Sequence, residues 1–244
     1  MTQILNIRLK FKQLLHNGVS NKLFNRLFKQ RCLLCAANDG SELGLCGGCY
    51  KGLPWHIAPE CPQCGLSSNG FVCGSCLNSP PDFDATHSLL TYDFPLDAMM
   101  QRYKYGSMLN LGHIFGKMMS NKINPSSVDL VIAMPMHPKR LKERGFNQAL
   151  EIAKIITKNN PEKLDYLSVQ RQKLTPPKAS LPLKERVRNI KGAFTVSKDL
   201  NGKRIAIVDD VMTTGASLNE LAKTLKQAGA AHVECWVVAR TLPK

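Results

Sequence analysis

Long apolar runs are missing from this sequence. The longest uncharged stretch with apolar weight, residues 105–116, spans 12 positions, where a membrane-crossing helix needs ~20. The opening residues, Met1 to Arg8, hold no continuous apolar core and no small-residue cleavage site, so no secretory signal is read there. The expected compartment is the cytoplasm, with a peripheral place at the inner face of the membrane as the variant reading. Acidic residues are scarce: 18 Asp and Glu face 33 Lys and Arg, for a net charge of +15. That imbalance favours polyanionic partners, namely nucleic acid, phosphorylated metabolites or an acidic membrane surface, without choosing among them. The lysine-ending glycine loop of a P-loop protein and the spaced glycines of a dinucleotide fold are both missing. With 43% hydrophobic and 21% charged residues, the composition is that of a globular chain. Its 244 residues allow one or two domains with a core that needs no disulfides.

Cysteine is abundant. Eight of the nine fall in four Cys-x2-Cys pairs: Cys32/Cys35, Cys46/Cys49, Cys61/Cys64 and Cys73/Cys76. In a reducing compartment such pairs read as metal ligands before disulfides. Each turn aims two thiolates at one ion, so two turns complete a tetrahedral sulfur site and four complete two sites. A closed all-sulfur shell implies structural Zn2+, two ions in all, and a module that folds only with metal. Sequential and interleaved pairing both fit the spacing. His56 is a replacement-ligand candidate that, with eight thiols at hand, reads as a surface or packing residue, and Cys235, alone in an apolar strand, as a buried thiol.

Residues 1–30 carry helical apolar spacing with interspersed lysines, an amphipathic helical segment. Residues 31–79 form the expected double-knuckle, zinc-ribbon-like module, and 77–87, with Pro80 and Pro81, a linker. From 86 to 244 the pattern changes to α/β. Strands are expected at 89–92, 128–134, 204–208 and 233–239, with helices at 96–103, 109–120, 148–157 and 218–228. Near-continuous apolar strands alternating with helices predict a parallel sheet covered on both faces.

The most informative segment runs from Arg204 to Ser217. A buried strand is expected to end at Val208, and Asp209 and Asp210 follow at its carboxyl end, where open α/β sheets bind ligands. Thr213, Thr214 and Ser217 supply hydroxyls, Gly215 permits close backbone approach, and a helix begins there with free amides. Hydroxyls and amides suit a phosphate, and the paired carboxylates suit ribose hydroxyls. Two acids, three hydroxyls and a glycine exceed what a helix cap requires.

This segment resembles the ribose-phosphate signature of the type I phosphoribosyltransferases. Together with the cysteine-rich module, the stretch from Met134 to Gln148, and the stretches 171–179 and 185–194, it is similar to the ComF family (the ComFC/GntX group) over roughly residues 25–244. The resemblance implies that Asp209 and Asp210 hold the ribose of 5-phosphoribosyl 1-diphosphate and serve catalysis. It implies that Met212, Thr213, Thr214, Gly215 and Ser217 form the phosphate loop. His137, Lys139 and Arg140 would meet the diphosphate with Mg2+, with Arg144 and Asn147 as weaker candidates and Gly145-Phe146 as a hinge. It also implies an association with natural transformation and DNA uptake, with helicase or uptake proteins as partners.

Residues 137–191 hold 14 Lys and Arg against 5 Asp and Glu. Within them Lys173, Lys178, Lys184, Arg186 and Arg188 are read either as a loop that closes over a diphosphate or as a nucleic-acid-binding set, for single strands since no recognition-helix pattern is present. Two function classes remain. One is a competence protein that binds a phosphorylated ribose ligand and single-stranded DNA. The other is an active pentosyl-type glycosyltransferase acting on a nucleobase or related acceptor.

Overall fold

The structure, a computed structural model, describes residues 30–106, 108–174 and 188–243. The helical segment expected over 1–30 lies outside these residues but for Gln30. The chain divides into two compact units, Met1–Gly52 and Leu53–Lys244. Among the described residues no helix is long and apolar enough to cross a membrane.

In the first unit, an isolated antiparallel bridge joins Gln30 to Gly40, and a short helix α1 (Gly47–Lys51) starts at Cys46. Its buried apolar residues among those described are few: Cys32, Leu45 and Cys46.

The second unit begins with another knuckle, closed by α2 (Gly74–Asn78). Then follow β1 (Ala85–Thr91), α3 (Leu96–Tyr105), α4 (Asn110–Ser120), β2 (Leu130–Ala133), α5 (Pro138–Arg144), α6 (Gln148–Ile156), β3 (Leu164–Asp165), β4 (Val169–Arg171), β5 (Phe194–Val196), β6 (Arg204–Met212), α7 (Ala216–Gln227) and β7 (His232–Arg240). Five strands form one sheet in the order β1-β7-β6-β2-β3, every adjacent pair parallel. β4 and β5 make a separate antiparallel pair. Eight consecutive residues are buried in each of the central strands β6 and β7. Successive side chains of a strand point to opposite faces, so unbroken burial means that both faces are covered, as the apolar runs predict. Helix α6 packs on β2, β6 and α4, and α7 on β5, β6 and β7.

Two boundaries differ from the sequence expectation by four residues. β1 starts at Ala85, inside the expected linker, because Asp84 and Thr86 already bond to backbone: Asp84 N to Val233 O and Thr86 N to Pro62 O. β6 does not stop at Val208 but runs to Met212. Its pairing with β2 ends at Ala133↔Val208, whereas its pairing with β7 continues to Met212↔Arg240. The acids therefore lie within a strand paired on one side.

Candidate functional site

The four Cys-x2-Cys pairs assemble sequentially. The sulfurs of Cys32, Cys35, Cys46 and Cys49 lie within 4.8 Å of one another, and so do those of Cys61, Cys64, Cys73 and Cys76. Cys35 and Cys46 sulfurs are 3.6 Å apart and those of Cys64 and Cys73 3.7 Å. A tetrahedron built on Zn–S bonds of ~2.3 Å has edges of about 3.8 Å, so the sulfurs already stand at ligand spacing. Turn amides point at them: Cys49 N donates to Cys46 Sγ at 3.4 Å and Cys73 N to Cys61 Sγ at 3.3 Å. Burial raises the Cys32 thiol, but the amides of Cys35, Cys46 and Leu34 outweigh it and bring it down to about 6. The same balance brings Cys61 to about 7. Cys49, crowded by Cys46 and Cys35, is pushed up to about 12. Each cluster thus favours a first thiolate and resists the last, the repulsion that a divalent cation relieves. Both clusters are capable of binding zinc. His56 is no ligand: its Nδ1 lies 2.8 Å from Ser88 Oγ and 3.2 Å from Glu60. Cys235 is fully buried, as expected.

In the second unit, Asp209 and Asp210 lie on β6 beyond the last β2 pair, each 8% exposed. Their carboxylates accept from the next backbone amides, Asp210 N at 2.9 Å and Val211 N at 2.7 Å. Lys104, near the end of α3, holds Asp210 at 2.9 Å. Burial lowers the Lys104 pKa, and the Asp210 and Asp209 charges more than reverse it, leaving it raised. After Met212 the chain turns at Gly215, whose φ of 78° is left-handed. A side chain is disfavoured there. Thr214 Oγ1 accepts from Ala216 N at 3.3 Å, Thr214 is exposed, and Thr213 and Ser217 are half-buried. The strand end, the left-handed glycine and the first turn of α7 are therefore continuous.

The residues after β2 frame the neighbouring edge. Met134 N donates to Val208 O, which brings Met134 beside the acids' strand. His137 caps α5 by accepting from Lys139 N at 3.2 Å. Asn147 caps α6 and donates to Met134 O at 3.1 Å, and Gly145 ends α5 at a φ of 83°. Arg144 lies over the Tyr105 ring and donates to Gln148. A cleft of about 490 Å³ is lined by His137, Tyr166, Arg171 and their neighbours.

Three cations were missed or undervalued in the sequence. Lys104 is one. Arg171 is another: burial and the nearby Arg140 lower its pKa, with Asp209 opposing. The third is Arg240, 4% exposed, whose Nη1 donates to the carbonyls of Met212 at 3.0 Å, Thr213 and Thr241 at 3.0 Å. A lone basic residue more than twenty positions from its partners leaves no local signal. Of the nucleic-acid set, Lys178, Lys184 and Arg186 lie outside the described residues. Lys173 donates to Lys191 O at 2.6 Å, and Arg188 lines a second cleft, of about 630 Å³, with Thr214 and Gly215.

The fold and its clusters define a parallel α/β phosphoribosyltransferase-like domain joined to an N-terminal cysteine-rich double zinc-ribbon module. Comparison with known proteins agrees. Residues 142–242 match the phosphoribosyl transferase domain family, and residues 23–77 the double zinc ribbon domain family. Competence protein F of Haemophilus influenzae is 29% identical over 87% of this chain and 98% of its own. DNA utilization protein YhgH of Salmonella typhi is 28% identical over 86% and 97%, and competence protein ComFC of Streptococcus pneumoniae 27% over 85% and 92%. A purine phosphoribosyltransferase from Pyrococcus horikoshii, 18% identical, matches 54% of this chain and 87% of its own at a TM-score of 0.34. Over most of its length the chain is similar to the ComF/ComFC competence proteins, with the two cysteine clusters in its N-terminal part.

Proposed function

We propose that this protein serves DNA uptake in natural transformation by binding a ribose-phosphate or diphosphate ligand and single-stranded DNA. Similarity to competence proteins over most of the chain supports the competence role. The observation that carries the ligand reading is the run from Asp209 to Ser217: two carboxylates on the part of β6 beyond its last β2 partner lead, through a left-handed glycine, into the first turn of α7. Asp209 and Asp210 accept the ribose hydroxyls. Met212, Thr213, Thr214, Gly215 and Ser217 hold the 5-phosphate. His137, Lys139 and Arg140 meet the diphosphate, and Arg171, crowded against Arg140, joins them, since an anion between two guanidiniums relieves their repulsion. Magnesium, when bound with 5-phosphoribosyl 1-diphosphate, neutralises diphosphate charge. Arg188, in a cleft shared with the phosphate loop, gives a DNA strand a cation beside the same loop, in line with a set that extends to Lys173, Lys178, Lys184 and Arg186.

A second reading is favoured by the buried acids. Two carboxylates, each 8% exposed, beside an anomeric carbon would stabilise positive charge as diphosphate departs, the demand of a phosphoribosyl transfer. A fold and its ligand site do not by themselves establish turnover.

Calorimetric titration with 5-phosphoribosyl 1-diphosphate and magnesium tests the site, with and without a short single-stranded DNA. Saturable binding that disappears in Asp209→Asn/Asp210→Asn is expected. Binding of equal affinity in that variant removes the two acids from the site, and no binding to the zinc-loaded wild type removes the ligand reading.

A further inference from the structure

Arg240 touches more than the phosphate loop. Its Nε donates to the carbonyl of Cys64, a residue of the second cysteine cluster, at 2.8 Å, while its Nη1 holds Met212 and Thr213. One buried guanidinium thus spans the knuckle of that cluster and the two residues that open the phosphate loop. We infer that Arg240 is a positioning residue through which metal at Cys61, Cys64, Cys73 and Cys76 sets the conformation of the loop, and so the affinity of the ribose-phosphate site. The inference rests on the ligand reading above for its second half only.

Three sets of contacts support it. The knuckle is fastened to the sheet beside Arg240: Thr86 Oγ1 donates to Gln63 O at 2.7 Å, Thr86 N to Pro62 O at 3.0 Å, and Gln63 Nε2 to Phe83 O at 3.4 Å. The approach is close, because a Cβ at Gly65 would lie 3.1 Å from Thr86 Cγ2 and 3.8 Å from Arg240 Cδ, and Gly65 has a φ of 67°. At the other end, Arg240 pairs in register with Met212 and Thr241 N donates to Met212 O.

Charge works in the same direction. Four thiolates around one divalent zinc leave a net double negative charge. A buried guanidinium held by carbonyls, Cys64 O among them, gains from such a neighbour. Metal occupancy and the Arg240 position are therefore linked. Linkage is reciprocal, so a phosphate-bearing ligand on the loop must tighten metal at the second cluster by the factor that the metal tightens the ligand.

The test uses the full chain carrying zinc. Amide exchange of residues 211–217 is followed by mass spectrometry before and after the second-cluster zinc is withdrawn by a chelator, and in zinc-loaded Arg240→Lys, which keeps the charge but not the fork. Exchange about fivefold faster or more is expected in both cases, with β4 and β5 unchanged. Unchanged exchange at 211–217, or equal acceleration over the whole sheet, overturns the inference. The wild-type arm needs no variant, so it stands if Arg240→Lys fails to fold. Release of zinc to the chelator is then timed with and without ribose 5-phosphate, in a Cys35→Ser background that leaves the second cluster as the metal source. Slower release with the ligand, lost in Arg240→Lys, is expected. A ligand that binds without slowing release overturns the inference. A ligand that does not bind overturns the ribose-phosphate reading instead, and the exchange result still decides on Arg240.

Discussion

The two cysteine clusters share a plan and differ in what depends on them. Both draw two Cys-x2-Cys turns to sulfur distances near 3.7 Å, and each ends in a five-residue helix. The first belongs to the unit Met1–Gly52, where the described residues bury only Cys32, Leu45 and Cys46 among apolar side chains. The core of these described residues offsets little of the entropy of ordering them, so metal at the first cluster is expected to be their main source of stability. The second belongs to the unit Leu53–Lys244, which has a five-stranded core of its own. There Thr86 and Arg240 tie the knuckle to the sheet. Identical ligand chemistry is thus expected to hold the described part of the first unit together, whereas in the second it fastens to a domain that already has a core.

Perturbations made from the site side sharpen this contrast. The largest effect is expected for Lys104→Met. It strands Asp210, whose side chain is 12% exposed beside a Lys104 that is 23% exposed, and unpairing such a partly buried acid costs ~2 kcal/mol. Urea titration of the full chain checks this, and zinc retention at both clusters should not change, since Lys104 bonds to neither. The pair also sets a pH dependence. The Lys104 pKa is raised in the folded chain, so its contribution is complete below the ordinary lysine value of ~10.4 and is lost as the pH climbs through the folded value. The alkaline decline in stability should therefore be shallower in Lys104→Met, and an identical decline would show that the pair does not govern it.

A smaller effect is expected for Gly215→Ala. A methyl at a φ of 78° costs ~1 kcal/mol, and its Cβ would lie 2.8 Å from Met212 Cε, a side-chain end that can move aside. Because Met212 is held by Arg240, zinc should leave the second cluster faster while the first keeps its rate. Equal acceleration at both clusters, read by a chromogenic chelator, would erase the distinction between them.

Much of this was legible in the sequence, for physical reasons that also explain the gaps. The eight cysteines, the alternation of apolar strands with helices, and the run from Asp209 to Gly215 are local patterns, and local patterns survive without coordinates. Cysteine pairing was open because the spacing allows both arrangements, and the structure takes the sequential one. The end of β6 was misplaced because two carboxylates in succession look like a strand terminus. Only the sheet order, with β7 still paired after β2 has stopped, shows that a strand can carry them. Lys104 and Arg240 were invisible because each meets its partners across many residues of chain, and an isolated cation in a basic sequence has no signature.

The central claim is that the second cluster serves the phosphoribosyltransferase-like unit and the first does not. It is tested most directly by comparing Cys35→Ser with Cys76→Ser in the full chain, with zinc content and calorimetric unfolding measured on the same samples. Each variant should lose one zinc. Cys35→Ser should leave the main transition of the larger unit in place, whereas Cys76→Ser should lower it by several degrees, as a loss of ~1–2 kcal/mol does in a domain of this size. Equal shifts in the two variants, or no shift in Cys76→Ser despite the lost metal, would contradict it.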